Sequence, residues 1–145
     1  MVLVPNGGME TLSGPSDMPL MALKAILVED SQTIRDSLLP ALEELANTEV
    51  VAWAQTFAQA EHVLAEWQGR WQLIIIDLFL GGGTGLDVLT AVRNRGKGQH
   101  AVVLSNYATE EMRRRCMELG ADAVFDKSTE IGAFIEWCIA TERTI

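Results

Sequence analysis

The chain has 145 residues, enough to bury one hydrophobic core and too few for two well-formed domains. Hydrophobic residues make up 48% of it and charged residues 21%, which excludes a disordered composition, and no apolar run approaches the roughly 20 residues of a membrane-spanning helix. The net charge of −9 argues against binding to nucleic acid, because such binding relies on Lys and Arg to neutralise phosphates. The two cysteines, Cys116 and Cys138, lie in predicted helical segments without a CxxC motif, so we expect buried thiols in a reducing interior. We therefore expect a soluble cytoplasmic domain that binds neither nucleic acid nor a membrane.

The first 22 residues differ in composition from the rest of the chain. They are rich in Gly, Pro, Ser and Met, and they lack the basic start and continuous apolar stretch of a secretory signal. We predict a flexible leader over residues 1–22 and a single folded domain over residues 23–145.

From Lys24 onward, short apolar runs alternate with longer amphipathic stretches. The apolar runs, each typical of a buried strand, span residues 25–28, 50–54, 73–76, 101–104 and 123–125. In the first amphipathic stretch the apolar residues at helical spacing are Ile34, Leu38, Leu42 and Leu45. Four more such stretches begin at Phe57, Leu86, Met112 and Ile131. This alternation predicts an α/β fold, a doubly wound parallel sheet of five strands with five helices, and it leaves the strand order open.

Polar side chains follow the apolar runs at the points where the predicted strands end. Carboxylates come first, since Glu29 and Asp30 follow the first strand and Asp77 follows the third. Ser105 ends the fourth strand, and Lys127 comes shortly after the fifth. Carboxyl ends of parallel strands meet at one edge of a sheet, where two carboxylates 4 Å apart repel by about 4 kcal/mol at an effective dielectric near 20. The sequence therefore predicts a cation at this edge, and Mg²⁺ fits carboxylate ligands best.

Four segments together resemble the response-regulator receiver family of two-component signalling, in particular its chemotaxis-regulator-like members. These segments are ILVEDS at 26–31, IIIDLFLGGGTG at 74–85, VVLSN at 102–106 and GADAVFDKS at 120–128. The resemblance runs from about residue 24 to about residue 140 and implies the flavodoxin-like (βα)₅ receiver fold. It also implies that Asp77 accepts a phosphoryl group, which Ser105 and Lys127 contact. The metal ligands that it implies are Glu29, Asp30, Asp77 and the backbone carbonyl of Phe79.

The function that this resemblance implies is a switch driven by phosphorylation. The receiver would take phosphate from a histidine kinase or a histidine phosphotransfer protein, promoting its own phosphorylation and dephosphorylation without being an enzyme for another substrate. The chain ends soon after the fifth predicted helix, so we expect a stand-alone receiver that controls an unidentified downstream protein or passes phosphate on in a phosphorelay. A homodimer through the fourth helix, fifth strand and fifth helix is also possible.

Departures from the family pattern carry further expectations. Val124 stands where the family has an aromatic residue that rotates inward on activation, and Phe125 next to it should point to the opposite face. Glycines at 81–83 stand in the loop after Asp77, where the family commonly has Pro. Phe79 and Tyr107 flank the path by which water reaches the phosphoryl group. Both are bulky and neither has a carboxylate or amide suited to orienting water, so we expect a comparatively long-lived phosphorylated state.

Other interpretations of these residues stay open. The chain could be a degenerate receiver that acts as a phosphorylation-independent interaction module, or a small hydrolase of phosphate esters. Glu29 and Asp30 could merely cap the first helix. The run Arg113 to Arg115 could be a solvated helix face, or it could pair with acidic residues across a dimer.

Overall fold

A computed structural model describes residues 22–143, so the predicted leader lies outside the described residues except for Ala22. Strands and helices alternate along the chain. The strands are β1 (Leu23–Val28), β2 (Thr48–Ala54), β3 (Leu73–Ile76), β4 (His100–Ser105) and β5 (Ala123–Asp126). The helices are α1 (Gln32–Leu45), α2 (Phe57–Glu66), α3 (Gly85–Ala91), α4 (Glu110–Glu118) and α5 (Ile131–Glu142).

The five strands form one sheet in the order β2-β1-β3-β4-β5, and every neighbouring pair is parallel. Each predicted apolar run falls inside one strand, which confirms the doubly wound parallel sheet. After β1 the chain adds β2 on one side of β1, and it then crosses to the other side of β1 to add β3. The strand order therefore reverses between β1 and β3, and ligands of open α/β sheets bind at such a reversal.

Helices cover both faces of the sheet, which explains why the central strand β3 is apolar along its whole length. Ile74 and Ile76 pack into a core cluster that includes residues of α2, α3 and α4. Leu73 and Ile75 point the other way, into a cluster with residues of α1 and α5. The two-residue period of the strand thus divides the core into two layers.

The two cysteines lie in different layers of this core. Cys116 belongs to α4 and Cys138 to α5, and both thiols are free and buried in the core. Burial raises the pKa of Cys138 to about 12, so its thiol stays protonated at neutral pH. The sequence-based interpretation of both residues as core thiols is confirmed.

Within residues 22–143, no helix combines the length and the apolar character needed to cross a membrane.

Helix α1 begins directly after the acidic pair at the end of β1. Its N-cap is Ser31, whose side chain accepts a hydrogen bond from the backbone N–H of Ile34. Glu29 accepts a hydrogen bond from the N–H of Ser31, and Asp30 makes no capping contact among the described residues. The cap of this helix is therefore Ser31, which leaves Asp30 available for other chemistry.

Helix α3 approaches the backbone of Asp77 so closely that only glycine fits at its first residue. A Cβ atom added to Gly85 would lie 2.1 Å from the carbonyl oxygen of Asp77. The N–H of Gly85 donates to the carbonyl of Leu78 at 2.9 Å. The glycine that starts α3 thus fixes the turn that follows β3.

Candidate functional site

The carboxyl-terminal edge of the sheet carries a depression of about 290 Å³ beside the point where the strand order reverses. The residues that line it are Glu29, Asp30, Ser31, Ile34, Asp77, Phe79, Asn106, Tyr107 and Lys127. Every site residue predicted from the sequence is among them, apart from Ser105, which is fully buried at the end of the adjoining strand β4.

Three carboxylates converge in this depression. Glu29, Asp30 and Asp77 each offer one oxygen, and these oxygens lie within 4.8 Å of one another. Glu29 and Asp77 are buried, whereas Asp30 is exposed. Within residues 22–143, no hydrogen bond or ion pair holds the Asp30 carboxylate. A set of oxygen ligands that is open to solvent on one side fits a hard divalent cation such as Mg²⁺.

Lys127 is the cation that the described residues supply to these carboxylates. Its Nζ lies 2.6 Å from Oε1 of Glu29 and 3.3 Å from Oδ2 of Asp77, and all three side chains are largely buried. Burial raises the pKa of Glu29 above its ordinary value; the hydrogen bond from Lys127 opposes this rise and the charge of Asp77 adds to it. Three carboxylates against one ammonium group leave an excess of negative charge that a divalent cation would neutralise.

Ser105 connects the depression to the loop after β4. Its Oγ accepts a hydrogen bond from the N–H of Tyr107 at 3.1 Å, and its carbonyl accepts one from the N–H of Lys127 at 3.1 Å. No described residue accepts the hydroxyl hydrogen of Ser105. That hydrogen is therefore available to an anion that binds in the depression.

Two aromatic rings form the outer lip of the depression. Phe79 and Tyr107 are more than half exposed, and their ring centroids lie 4.2 Å apart with the planes tilted by 52°. The sequence placed both residues beside the acceptor, but their mutual contact was not predicted, because it joins loops that follow different strands.

The glycine loop after Asp77 is held by the neighbouring loop between β2 and α2. The N–H of Gly81 donates to the carbonyl of Gln55, and the N–H of Phe57 donates to the carbonyl of Gly82. Gly83 has a φ of +76°, and a Cβ there would lie 2.5 Å from Cβ of Phe57. The glycines permit this close approach, which a loop with larger side chains could not make.

The loop between β5 and α5 is ordered by the carboxylate of Asp126. Oδ1 of Asp126 accepts hydrogen bonds from the N–H and the hydroxyl of Ser128 and from the N–H of Thr129. These bonds, led by that of the Ser128 hydroxyl, hold the pKa of Asp126 below its ordinary value. The turn that carries Lys127 is thereby fixed.

Arg113 links α4 to both β5 and α5, so the interpretation of the arginine run as a solvated face is wrong for this residue. Its guanidinium donates to the carbonyls of Ala108 and Val124 and to Oε1 of Glu130 at 2.6 Å. The hydrogen bond from Arg113 is the main reason that the pKa of Glu130 lies below its ordinary value. Among the described residues, Arg114 pairs with Glu118 alone, on the helix surface.

Val124 and Phe125 point to opposite faces, as the strand period predicts. Val124 packs toward α4, whereas Phe125 packs against Phe134 and Trp137 of α5. Phe125 therefore does not occupy the place of the aromatic residue that the family carries at position 124.

Comparisons with known proteins agree with this geometry. The family model of the response regulator receiver domain matches residues 25–137. The transcriptional regulatory protein CusR of Escherichia coli K12 is 31% identical over 100 residues, which cover 69% of this chain and 42% of CusR. The chemotaxis protein CheY of Halobacterium salinarum is 24% identical over 107 residues, which cover 74% of this chain and 86% of CheY.

A solved structure shares the fold at lower sequence identity. The crystal structure of a response regulator from Burkholderia pseudomallei, with a phosphorylated aspartic acid, a calcium ion and citrate, aligns with a TM-score of 0.69 at 18% identity. The alignment covers 84% of this chain and 69% of that chain. With its five parallel strands and five helices, and with a family match over most of its length, the chain belongs to the response regulator receiver domains of two-component systems.

Proposed function

We propose that Asp77 accepts a phosphoryl group from the phosphohistidine of a histidine kinase or a histidine phosphotransfer protein. The observation that carries this proposal is the convergence of three carboxylates, two of which, Glu29 and Asp77, pair with the buried ammonium group of Lys127. The ligands proposed for Mg²⁺ are Glu29, Asp30, Asp77 and the backbone carbonyl of Phe79. The Burkholderia pseudomallei regulator supports the combination of an aspartyl phosphate with a divalent cation, since it holds both a phosphorylated aspartic acid and a calcium ion.

The transfer is a displacement at phosphorus. A carboxylate oxygen of Asp77 forms the new O–P bond while the P–N bond of the donor breaks, and the released imidazole takes up a proton from solvent. A divalent cation supplies positive charge that neutralises the oxygens of the transferring group. Lys127 already lies 3.3 Å from Asp77, so its Nζ can pair with a phosphoryl oxygen without a large movement.

Ser105 transmits the arrival of the phosphoryl group to the loop after β4. A phosphoryl oxygen is a strong acceptor for the Ser105 hydroxyl, which has no acceptor among the described residues. Because Ser105 Oγ also accepts the N–H of Tyr107, turning the hydroxyl toward the phosphoryl group alters the contact that holds this loop. The change then reaches α4, which begins at Glu110.

The phosphorylated domain exerts its effect through a separate protein. The domain controls an unidentified downstream protein or passes the phosphoryl group on, works in the cytoplasm, and turns over no substrate besides its own phosphate. The match to CheY over 86% of that protein supports a stand-alone role, whereas CusR is more than twice as long as the matched segment. The α4-β5-α5 face could form a homodimer, and the negative charge of the chain disfavours direct contact with DNA.

A second candidate function is a phosphorylation-independent interaction module, which Val124 at the position of the switching aromatic residue favours. Intact-protein mass spectrometry after incubation with Mg²⁺ and acetyl phosphate separates the two. Our proposal predicts one phosphoryl adduct that is absent from Asp77→Ala and from samples with a chelator. No adduct from acetyl phosphate or from a phosphorylated phosphotransfer protein, together with no Mg²⁺ binding, would favour the interaction module.

A further inference from the structure

Trp53, near the end of β2, forms a hydrogen bond to the acidic turn at the end of β1. The last backbone hydrogen bond between these strands runs from the N–H of Glu29 to the carbonyl of Ala54, at 2.9 Å. The next backbone acceptor, just past the end of β1, is the carbonyl of Glu29, and the indole Nε1–H of Trp53 donates to it at 2.6 Å. A side chain thus continues the pairing of the two strands at the point where the backbones separate.

The ring that makes this bond is itself held in place. The guanidinium carbon of Arg35, on α1, lies 3.5 Å from the centroid of the Trp53 ring. Such a contact is attractive and restricts rotation of the ring. The indole is therefore fixed between the edge of the sheet and the helix that follows the acidic turn.

The two carboxylates of the turn are positioned in different ways. Lys127 and the N–H of Ser31 hold the Glu29 carboxylate directly. The Asp30 carboxylate has no such contact within residues 22–143, so its direction depends on the backbone. Trp53 fixes the peptide group before Asp30, and the cap made by Ser31 fixes the backbone after it.

We infer that Trp53 is a positioning residue for the divalent-cation site, because its indole N–H holds the peptide that aims Asp30 at the metal. This inference rests on the proposed function, which makes Asp30 a ligand. It assigns Trp53 no contact with the metal or the phosphoryl group. Its consequence is that the affinity for Mg²⁺ depends on a side chain from β2, a strand that contributes no ligand.

The test is the dissociation constant of Mg²⁺ for the full chain, measured by isothermal titration calorimetry without a phosphodonor. Trp53→Phe keeps an aromatic ring and removes the N–H. Since a neutral hydrogen bond contributes about 0.5–1.5 kcal/mol, we expect Mg²⁺ to bind about two- to tenfold more weakly. The matched control is Trp67→Phe, because Trp67 also lies under an arginine, Arg70, and is remote from the acidic turn. It should bind Mg²⁺ like the wild type.

A double-mutant cycle separates positioning from a general loss of structure. In an Asp30→Asn background, Trp53→Phe should cause little further loss of Mg²⁺ affinity, because the ligand that it positions is already gone. An equal loss in both backgrounds would overturn the inference. If Trp53→Phe does not fold, Arg35→Lys provides the test. This variant keeps the positive charge but loses the planar guanidinium that stacks on Trp53, and it should also bind Mg²⁺ more weakly than the wild type.

The outcomes distinguish this inference from the proposed function. Unchanged Mg²⁺ affinity in Trp53→Phe, with normal binding by the wild type, would overturn the positioning role and leave the metal site intact. Absence of Mg²⁺ binding by the wild type would overturn both.

Discussion

Replacing Asp30 by Asn should raise the stability of the protein when Mg²⁺ is absent and lower it, relative to the wild type, when Mg²⁺ is present. Without the cation, the Asp30 carboxylate contributes repulsion from Glu29 and Asp77, whose nearest oxygens lie within 4.8 Å. Because Asp30 is exposed, solvent screens these charges, and each unit-charge pair at that distance repels by about 0.9 kcal/mol at the dielectric constant of water. Attraction to Lys127 offsets part of this sum. We expect Asp30→Asn to be more stable by about 1 kcal/mol in a chelating buffer.

Adding Mg²⁺ should reverse this order. A ligand that binds only the folded state stabilises it by RT ln(1 + [L]/Kd), which is about 2.7 kcal/mol at a concentration 100 times Kd. The wild type should gain this stability, and Asp30→Asn should gain little because it lacks a charged ligand. The free energy of unfolding, measured by urea titration with a chelator and with saturating Mg²⁺, checks both signs.

A matched variant controls for the change in net charge that Asp30→Asn makes. Glu44→Gln removes the same charge from an exposed position on α1 and should show no reversal between the two conditions. If Asp30→Asn is less stable than the wild type in the chelating buffer, the electrostatic reasoning is wrong. If both proteins gain equally from Mg²⁺, Asp30 is not a ligand.

Three further predictions concern the lip, the turn and the α4-β5-α5 face. The double variant Phe79→Asn, Tyr107→Glu should lose its phosphoryl group faster than the wild type, as followed by the decay of the phosphorylated mass; slower decay would refute the role of the lip. Gly85→Ala should be less stable by about 1–3 kcal/mol in urea, because the new Cβ meets the backbone at 2.1 Å; equal stability would contradict the close approach. Glu130→Gln should be less stable than the wild type near neutral pH. That difference in stability should disappear as the pH falls below the ordinary Glu pKa of 4.5 and through the lower pKa of Glu130 in the folded state, because protonation of Glu130 breaks its pair with Arg113. A difference that persists in acid would exclude the ion pair as its cause.

The features that the sequence predicts well are those that depend on local periodicity. Residues 73–76 are apolar on both faces, as is expected of a strand in a sheet covered on both sides, and β3 occupies these positions. Because parallel strands direct their carboxyl ends to one edge, the sequence alone assigns residues that are far apart along the chain, such as Asp30 and Asp77, to one site.

The features that the sequence did not predict depend on how elements pack. Leu45 continues the apolar spacing of α1, but it is the last residue of the helix and is 63% exposed, since none of the described elements covers it. Arg113 lies in a basic run typical of a solvated face, yet it reaches β5 and α5. The contacts of Arg113 with Glu130 and of Trp53 with Glu29 each join two elements and depend on the side-chain conformation. The spacing of residues along a single element does not specify such contacts.

Reductive cleavage of the phosphorylated protein tests the central proposal most directly. Borohydride reduces an aspartyl phosphate to homoserine, so peptide mass spectrometry after phosphorylation and reduction identifies the residue that carried the phosphoryl group. We predict homoserine at position 77 and nowhere else, and none after incubation with a chelator. Homoserine at Asp30 or at another carboxylate, or an adduct that survives in Asp77→Ala, would contradict the assignment of Asp77 as the acceptor.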